Sequence, residues 1–221
     1  CLLPNFRLPQ HIHSRSANAK WLVEIGHRNP IWMHPKDAER LGVSEGDLLK
    51  VETEIGWFVD KVWVTEGIKP GVVGCSHHIG RWRRAQDQGN RYLSNEVSIE
   101  DVGEGRKRMR TVSGVGPWES DDPDTNRVWW RDGGVHQNIT HAVQPDPISG
   151  AHCWLQKVRL SKPSDGEQYG DVEVDTEKSF EYYQNWNQMA KQRETHPRGE
   201  RRPLWMKRPL SPKKEHWFVP E

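Results

Sequence analysis

This sequence predicts a β-rich domain with short inserted helices, and three observations carry the prediction. Residues Leu48 to Glu54 alternate apolar and polar, Ile55-Gly56 breaks the run, and Trp57 to Val64 alternates again, which describes a hairpin. The apolar stretches Ile31-Trp32-Met33 and Val72-Val73-Gly74-Cys75 are strand-sized and bounded by proline, glycine or polar turns. Helical signals are brief by comparison and confined to about two turns near residue 38 and one stretch near the C-terminal end.

Taken in order, the chain begins with Cys1, and CLLPNFRLPQ has neither the charged nor the apolar region of a signal peptide, so it is expected to continue a longer polypeptide. Pro30 to His34 reads as a strand. Pro35 then takes the first turn of a helix over Lys36-Asp37-Ala38-Glu39-Arg40-Leu41 that Gly42 closes. Val43-Ser44-Glu45-Gly46-Asp47 turns the chain into the hairpin. Gly67-Ile68-Lys69-Pro70-Gly71 leads into the apolar strand at 72–76. Residues 83–134 change character: Arg, Asp, Glu and Gly dominate, and Gly103 to Arg110 reads as without useful period. This is expected to be a long charged excursion on the domain surface, a kind of segment that is more often functional or interface-forming than idle. Strand signal returns over Trp154 to Leu160, after the turn Asp146-Pro147-Ile148-Ser149-Gly150. A helix near 179–192 would place Phe180, Tyr183, Trp186 and Ala190 on one face. The basic, proline-rich tail 195–221 is expected to lie extended across something larger.

Composition excludes some functions. A chain of 221 residues suits one substantial domain with additions, and no window approaches the length of a spanning helix, so direct membrane insertion is not expected. Lys+Arg and Asp+Glu number 32 and 31, leaving a formal charge of +1 and no global field for nucleic acid. A nucleic-acid reading would need Arg81-Trp82-Arg83-Arg84, Arg106 to Arg110 and the tail to act as local patches. The 12 Trp beside four Phe and four Tyr fit surfaces that are apolar yet carry a donor, such as clefts and contacts, with core packing as the plain alternative. Cys1, Cys75 and Cys153 are odd in number and lack a C-x-x-C spacing, so neither a disulfide framework nor a thiolate zinc site is indicated.

Three polar clusters stand beside strands. His11-Ile12-His13-Ser14-Arg15-Ser16-Ala17-Asn18 could form a hydrogen-bonding wall for a heteroatom-rich ligand or grip a pyrophosphate, or it could simply cap a following helix through Ser16 or Asn18. His77-His78-Ile79-Gly80-Arg81-Trp82 follows the apolar strand directly. Adjacent histidines in an extended chain point apart, so His77 and His78 are not expected to chelate one metal, although an H-x-H at 11–13 with His77, His78 or Cys75 forms a conceivable set. His136-Gln137-Asn138-Ile139-Thr140-His141 is the third cluster. Three such clusters on loops of one β-domain suggest a single shared cleft. Dinucleotide-fold, P-loop, serine-hydrolase and zinc-protease motifs are absent from the sequence.

The order of these pieces resembles the C-terminal molybdopterin-dinucleotide-binding domain of the dimethyl sulfoxide reductase superfamily. The resemblance rests on Asn29 to Asp47, on Gly67 to Val73, on Asn138 with Asp146-Pro147-Ile148-Ser149-Gly150, and on the upstream loop His11 to Asn18. It covers about 10–82 and 134–162, and its wording is nearest the polysulfide, thiosulfate, tetrathionate and arsenate reductase-like branch. It implies a mainly β fold, a six-stranded double-psi β-barrel with short helices; the long charged excursion over 83–134 is a departure from the family's minimal domain, and the extended C-terminal tail is read from composition. It also implies a division into a cofactor-facing first segment (1–29), two parts of the barrel (30–82 and 135–175), a surface insertion (83–134), and a C-terminal helix with tail (176–221).

In that family the domain closes over bis-molybdopterin guanine dinucleotide carrying molybdenum or tungsten. By resemblance His11, His13, Ser14, Arg15, Ser16 and Asn18 would meet the pterin and pyrophosphate, with His77, His78, Gly80, Trp82 and Asn138 on neighbouring loops. No catalytic residue and no metal ligand is expected here. A 4Fe-4S cluster would belong to a preceding N-terminal region. Partners would be the N-terminal domains of the same polypeptide, an iron-sulfur electron-transfer subunit, plus a membrane anchor subunit. A periplasmic or membrane-associated complex is implied, with a cytoplasmic location left open. The competing class is a stand-alone double-psi barrel module or small enzyme using His77 and His78 as acid and base.

Overall fold

The computed structural model describes residues 1–3, 8, 11, 13, 22, 25–80, 83–84, 95–114, 134–143, 151, 155–188, 190–192 and 201–203. Strand β1 is Leu2–Leu3, β2 is Ile31–Met33, and helix α1 is Pro35–Leu41. Strands β3 (Leu48–Glu52) and β4 (Gly56–Val64) form the expected hairpin, followed by β5 (Val73–Gly74) and β6 (Arg83–Arg84). Then come β7 (Asn95–Gly103), β8 (Arg106–Gly114), a 3-10 turn at Gln137–Thr140, β9 (Arg159–Ser161) and β10 (Val172–Asp175). Helix α2 (Thr176–Gln188) precedes a short pair, β11 (Ala190–Gln192) and β12 (Arg201–Pro203).

Helix α1 shows why so few residues specify an element. His34 is extended and its Nδ1 accepts from Lys36 N at 3.1 Å, Pro35 occupies the first turn, and Gly42 ends the helix at φ 63, in the left-handed region. Buried Asp37 accepts from Arg40 at 3.0 Å and from Gly71 N at 2.6 Å, so the helix is fastened to the turn before β5.

The main sheet runs β1-β5-β2-β4-β10-β8-β7-β6, with β3 between β4 and β9. Pairs β1/β5, β2/β4 and β6/β7 are parallel and the others antiparallel. The core gathers Leu2, Ile31, Met33, Leu49, Val51, Phe58, Val62, Val73, Met109 and Val172, with Ala38 and Val43 from α1 and the turn after it. Among the described residues no helix is long and apolar enough to cross a membrane.

Three expectations need correction. Residues 103–110 do have a period. Strands β7 and β8 form a hairpin turned at Glu104-Gly105, and β8 pairs antiparallel with β10. Arg106, Arg108 and Arg110 repeat at the two-residue interval of a strand and share one face, where Arg106 and Arg108 hold Glu173 and Arg110 holds Asp171. The alternation is of charge, so a search for apolar alternation passes over it. Trp57 lies beside Glu173 on the same face, with Lys50 4.1 Å and Arg108 5.3 Å from its ring.

The C-terminal helix forms over 176–188, but Phe180 and Tyr183 are exposed, and Ala190 lies in β11. The periodicity that predicted the helix does not bury its face within the described residues. The returning strand is also shorter and later than Trp154 to Leu160: Gln156 makes an isolated bridge to Leu2, and the ladder begins at Arg159. At the tail, Arg201–Pro203 pairs with Ala190–Gln192, and 204–221 lies outside the described residues, as do Trp154 and the Asp146 to Gly150 turn.

Candidate functional site

The segment after β5, the 3-10 turn with its approach, and the chain before β2 meet at Asn29. This side chain is 1% exposed. Its Nδ2 donates to Ser76 O at 2.7 Å and Val135 O at 3.0 Å, while its Oδ1 accepts from Val135 N at 2.8 Å. One carboxamide thus answers three buried backbone groups from two segments, each of which would otherwise be costly to leave unpaired. Cys75 completes the joint by donating from Sγ to Asn29 O at 3.1 Å. Burial, and secondarily Asp60, pushes its thiol well up, so it stays protonated and is a poor nucleophile or metal ligand.

Gly80 has a left-handed φ of 101, and a Cβ there would lie 2.6 Å from the backbone of Val135 and His136. The two loops therefore touch backbone to backbone, which only glycine allows. His136 Nδ1 donates to Gly80 O at 2.8 Å, and Asn138 Nδ2 donates to His77 O at 3.2 Å. These contacts bring the second and third polar clusters together. His13 arrives from the first cluster, with its ring centroid 4.5 Å from that of His78 and 5.4 Å from that of His77. His11 is buried and its Nε2 donates to Gly26 O at 3.3 Å. Burial holds the His11 imidazole below its ordinary value, against the opposing effect of the Gly26 bond.

The chain bends at 77–78, and the two rings approach to 3.7 Å between centroids. The expectation that they point apart assumed an extended backbone, which this bend removes. Of the residues proposed from sequence, His11, His13, His77, His78, Gly80 and Asn138 can be placed. Ser14, Arg15, Ser16, Asn18 and Trp82 lie outside the described residues.

Gln137 was not singled out from sequence. It is 1% exposed, and among the described residues neither Oε1 nor Nε2 has a hydrogen-bond partner; Asn138 Oδ1, also buried, has none among them either. Buried amides without partners are uncommon and point to an absent ligand or water. A glutamine inside a polar cluster gives no sequence signal of this kind, because burial is decided by the fold.

His136 makes the site sensitive to pH. Burial holds its imidazole below the ordinary 6.5, outweighing the bond to Gly80. The unfolded chain therefore takes up a proton first as pH falls. The stability contributed by the neutral ring is complete above about pH 6.5 and lost as pH drops through the folded value. Urea denaturation between about pH 8 and 5 should show this decline, and His136→Asn, which keeps a donor for Gly80 O, should flatten it. An equal slope in the variant would assign the decline to other groups.

The sequence is similar to several known proteins. The family described as Molydopterin dinucleotide binding domain matches residues 2–102, a span that contains the first two clusters and Asn29 but not the third. A putative dimethyl sulfoxide reductase catalytic chain from Halobacterium salinarum is 36% identical over 95 residues, 43% of this chain and 11% of that protein. The arsenate respiratory reductase molybdopterin-containing subunit of Chrysiogenes arsenatis is 28% identical over 115 residues, covering 48% of this chain and 12% of that subunit. A trimethylamine-N-oxide reductase from Haemophilus influenzae is 32% identical over 79 residues, covering 36% and 9%. The chain thus spans about a tenth of the length of the curated relatives it matches. Acetylene hydratase from Pelobacter acetylenicus aligns structurally over 35% of this chain and 11% of that one, with a TM-score of 0.33 and 22% identity. By the family match over residues 2–102 and by these relatives, the chain is similar to the molybdopterin-dinucleotide-binding domain of dimethyl sulfoxide reductase superfamily proteins.

Proposed function

We propose that this chain is the C-terminal, cofactor-closing part of the catalytic subunit of a molybdenum or tungsten oxidoreductase. The observation that carries the reading is the buried carboxamide of Gln137, unpartnered at both atoms among the described residues, beside Asn138 Oδ1 and the loops that Asn29 joins. A pterin edge presents donors and acceptors in adjacent pairs, and a carboxamide answers one of each in the same plane. The donor set at the site therefore fits such a group. It contains neutral amides and imidazoles, and its buried thiol is turned away to Asn29 O.

In this reading β2, β3, β4, β5, β9 and β10 are the strands of a six-stranded double-psi barrel built from 30–82 and 135–175. Residues 1–29 face the cofactor, 83–134 form the insertion, and 176–221 supply the closing helix and tail. His11, His13, Ser14, Arg15, Ser16 and Asn18 meet the pterin and pyrophosphate. Arg15 suits the pyrophosphate because its planar fork fits two oxygens. His77, His78, Gly80, Trp82, Gln137 and Asn138 complete the same face. When bound, bis-molybdopterin guanine dinucleotide supplies two-electron redox or oxo-transfer chemistry at its metal. This chain's own work is to bind and orient the cofactor and exclude water from it. A 4Fe-4S cluster, the metal's ligand and the substrate pocket would lie in preceding domains. The outer partners would be an iron-sulfur subunit together with a membrane anchor subunit.

The test uses the polypeptide that carries this domain, purified from a host that makes the dinucleotide. Asn138→Ala and Gln137→Ala should each lower retained molybdenum and acid-released guanine nucleotide severalfold, with the melting midpoint little changed. Wild-type metal and guanine content in both variants would overturn the assignment.

A further inference from the structure

His13, His77 and His78 form a group whose ring nitrogens, one from each residue, lie within 4.8 Å of one another. The three rings are graded in depth: His13 is exposed, His77 half-buried and His78 buried. His13 reaches them from a left-handed backbone, φ 50, an uncommon conformation for a residue other than glycine. The other two sit on the loop that Asn29 and Asn138 hold in place.

We propose that in the cofactor-free chain these three histidines bind one divalent cation of the zinc, cobalt, nickel and copper class. Imidazole nitrogen is a borderline donor that suits these ions, and three of them with no carboxylate in the group disfavour magnesium and calcium. A tetrahedral site with metal–nitrogen bonds of about 2.0–2.1 Å needs its nitrogens about 3.3 Å apart. The rings must therefore draw in by about 1.5 Å, a movement that torsions of the exposed His13 can largely supply. Three protein ligands leave a fourth position for water. Cys75 does not join them, since its thiol is buried and committed to Asn29 O. The site does not rest on the cofactor reading, although both use the same loops.

The experiment is a Co²⁺ titration of the full chain, purified without cofactor, followed by its visible absorption and by displacement with Zn²⁺. Binding should saturate at one equivalent, with the d–d bands of a four- or five-coordinate site and no thiolate charge-transfer band. His13→Ala and His77→Ala should each weaken it at least about tenfold, the loss that even an outer-shell partner of a metal can cause. His27→Ala should leave it unchanged. His78 is buried, so its removal also tests the fold, and the exposed His13 is the deciding position. Absence of saturable binding, a thiolate band, equal affinity in His13→Ala, or equal loss in His27→Ala would each overturn the site. Cofactor retention is measured on the loaded protein and metal binding on the unloaded one, so the two readings fail separately.

Discussion

Asn29→Ala is expected to destabilise the protein by roughly 4 kcal/mol, because it strands two buried carbonyls and one buried N–H at about 1–3 kcal/mol each. No water can reach all three groups readily, since Asn29 is 1% exposed and its partners Ser76 and Val135 are equally buried. Asn29→Asp keeps the shape and the acceptor for Val135 N but loses both donations and turns a carboxylate oxygen toward two carbonyls. It should cost nearly as much as alanine. Equilibrium denaturation checks the magnitude. A second readout checks the mechanism: opening this joint should expose Cys75, now fully buried, to a thiol reagent, with Cys1 and Cys153 replaced by serine to remove their background. A denaturation midpoint within about 0.5 kcal/mol of wild type, the range of ordinary surface substitutions, would show that the joint is not what holds the loops.

The second large effect belongs to Asp171. Its side chain is fully buried, and its two oxygens accept from Nε and Nη2 of Arg110, both at 2.9 Å, with Gln168 N as a further donor at 3.1 Å. The same carboxylate raises the Arg110 guanidinium above its ordinary value by hydrogen bonding. Arg110→Met should cost about 2–3 kcal/mol, below the usual range for breaking a buried pair because the guanidinium is itself partly exposed. The cost arises from the carboxylate left behind in the core, not from the lost attraction. Asp171→Asn combined with Arg110→Met should therefore recover more than half of it. Hydrogen exchange should show the loss concentrated in β8, whose attachment to β10 this pair reinforces. A double variant as unstable as the single one would mean that the packing of Arg110, and not charge, holds the hairpin.

These two sites mark where reading the sequence succeeds and where it stops. Helix α1 is legible because its determinants are local: Pro35 in the first turn, Gly42 at the end, and Asp37 and Arg40 one turn apart. The β3–β4 hairpin is legible because alternation about Ile55-Gly56 is itself the physical cause of a strand with one buried face. The β7–β8 hairpin was hidden, since the partners of Arg106, Arg108 and Arg110 lie some 60 residues away, in β10 and just before it. Helix α2 was legible as a helix, but the exposure of Phe180 and Tyr183 was not, because periodicity reports a face and says nothing of what covers it.

The polar clusters divide in the same way. By itself the sequence determined their residue types, their positions beside strands and the family that their order resembles. Only the tertiary structure decided that the chain bends at His77-His78, that His13 joins those two rings, and that Gln137 is buried with its amide unanswered among the described residues. The reason is one of range. Caps, turns and alternation act over a few residues, whereas burial and convergence depend on Asn29 reaching Val135 across more than a hundred.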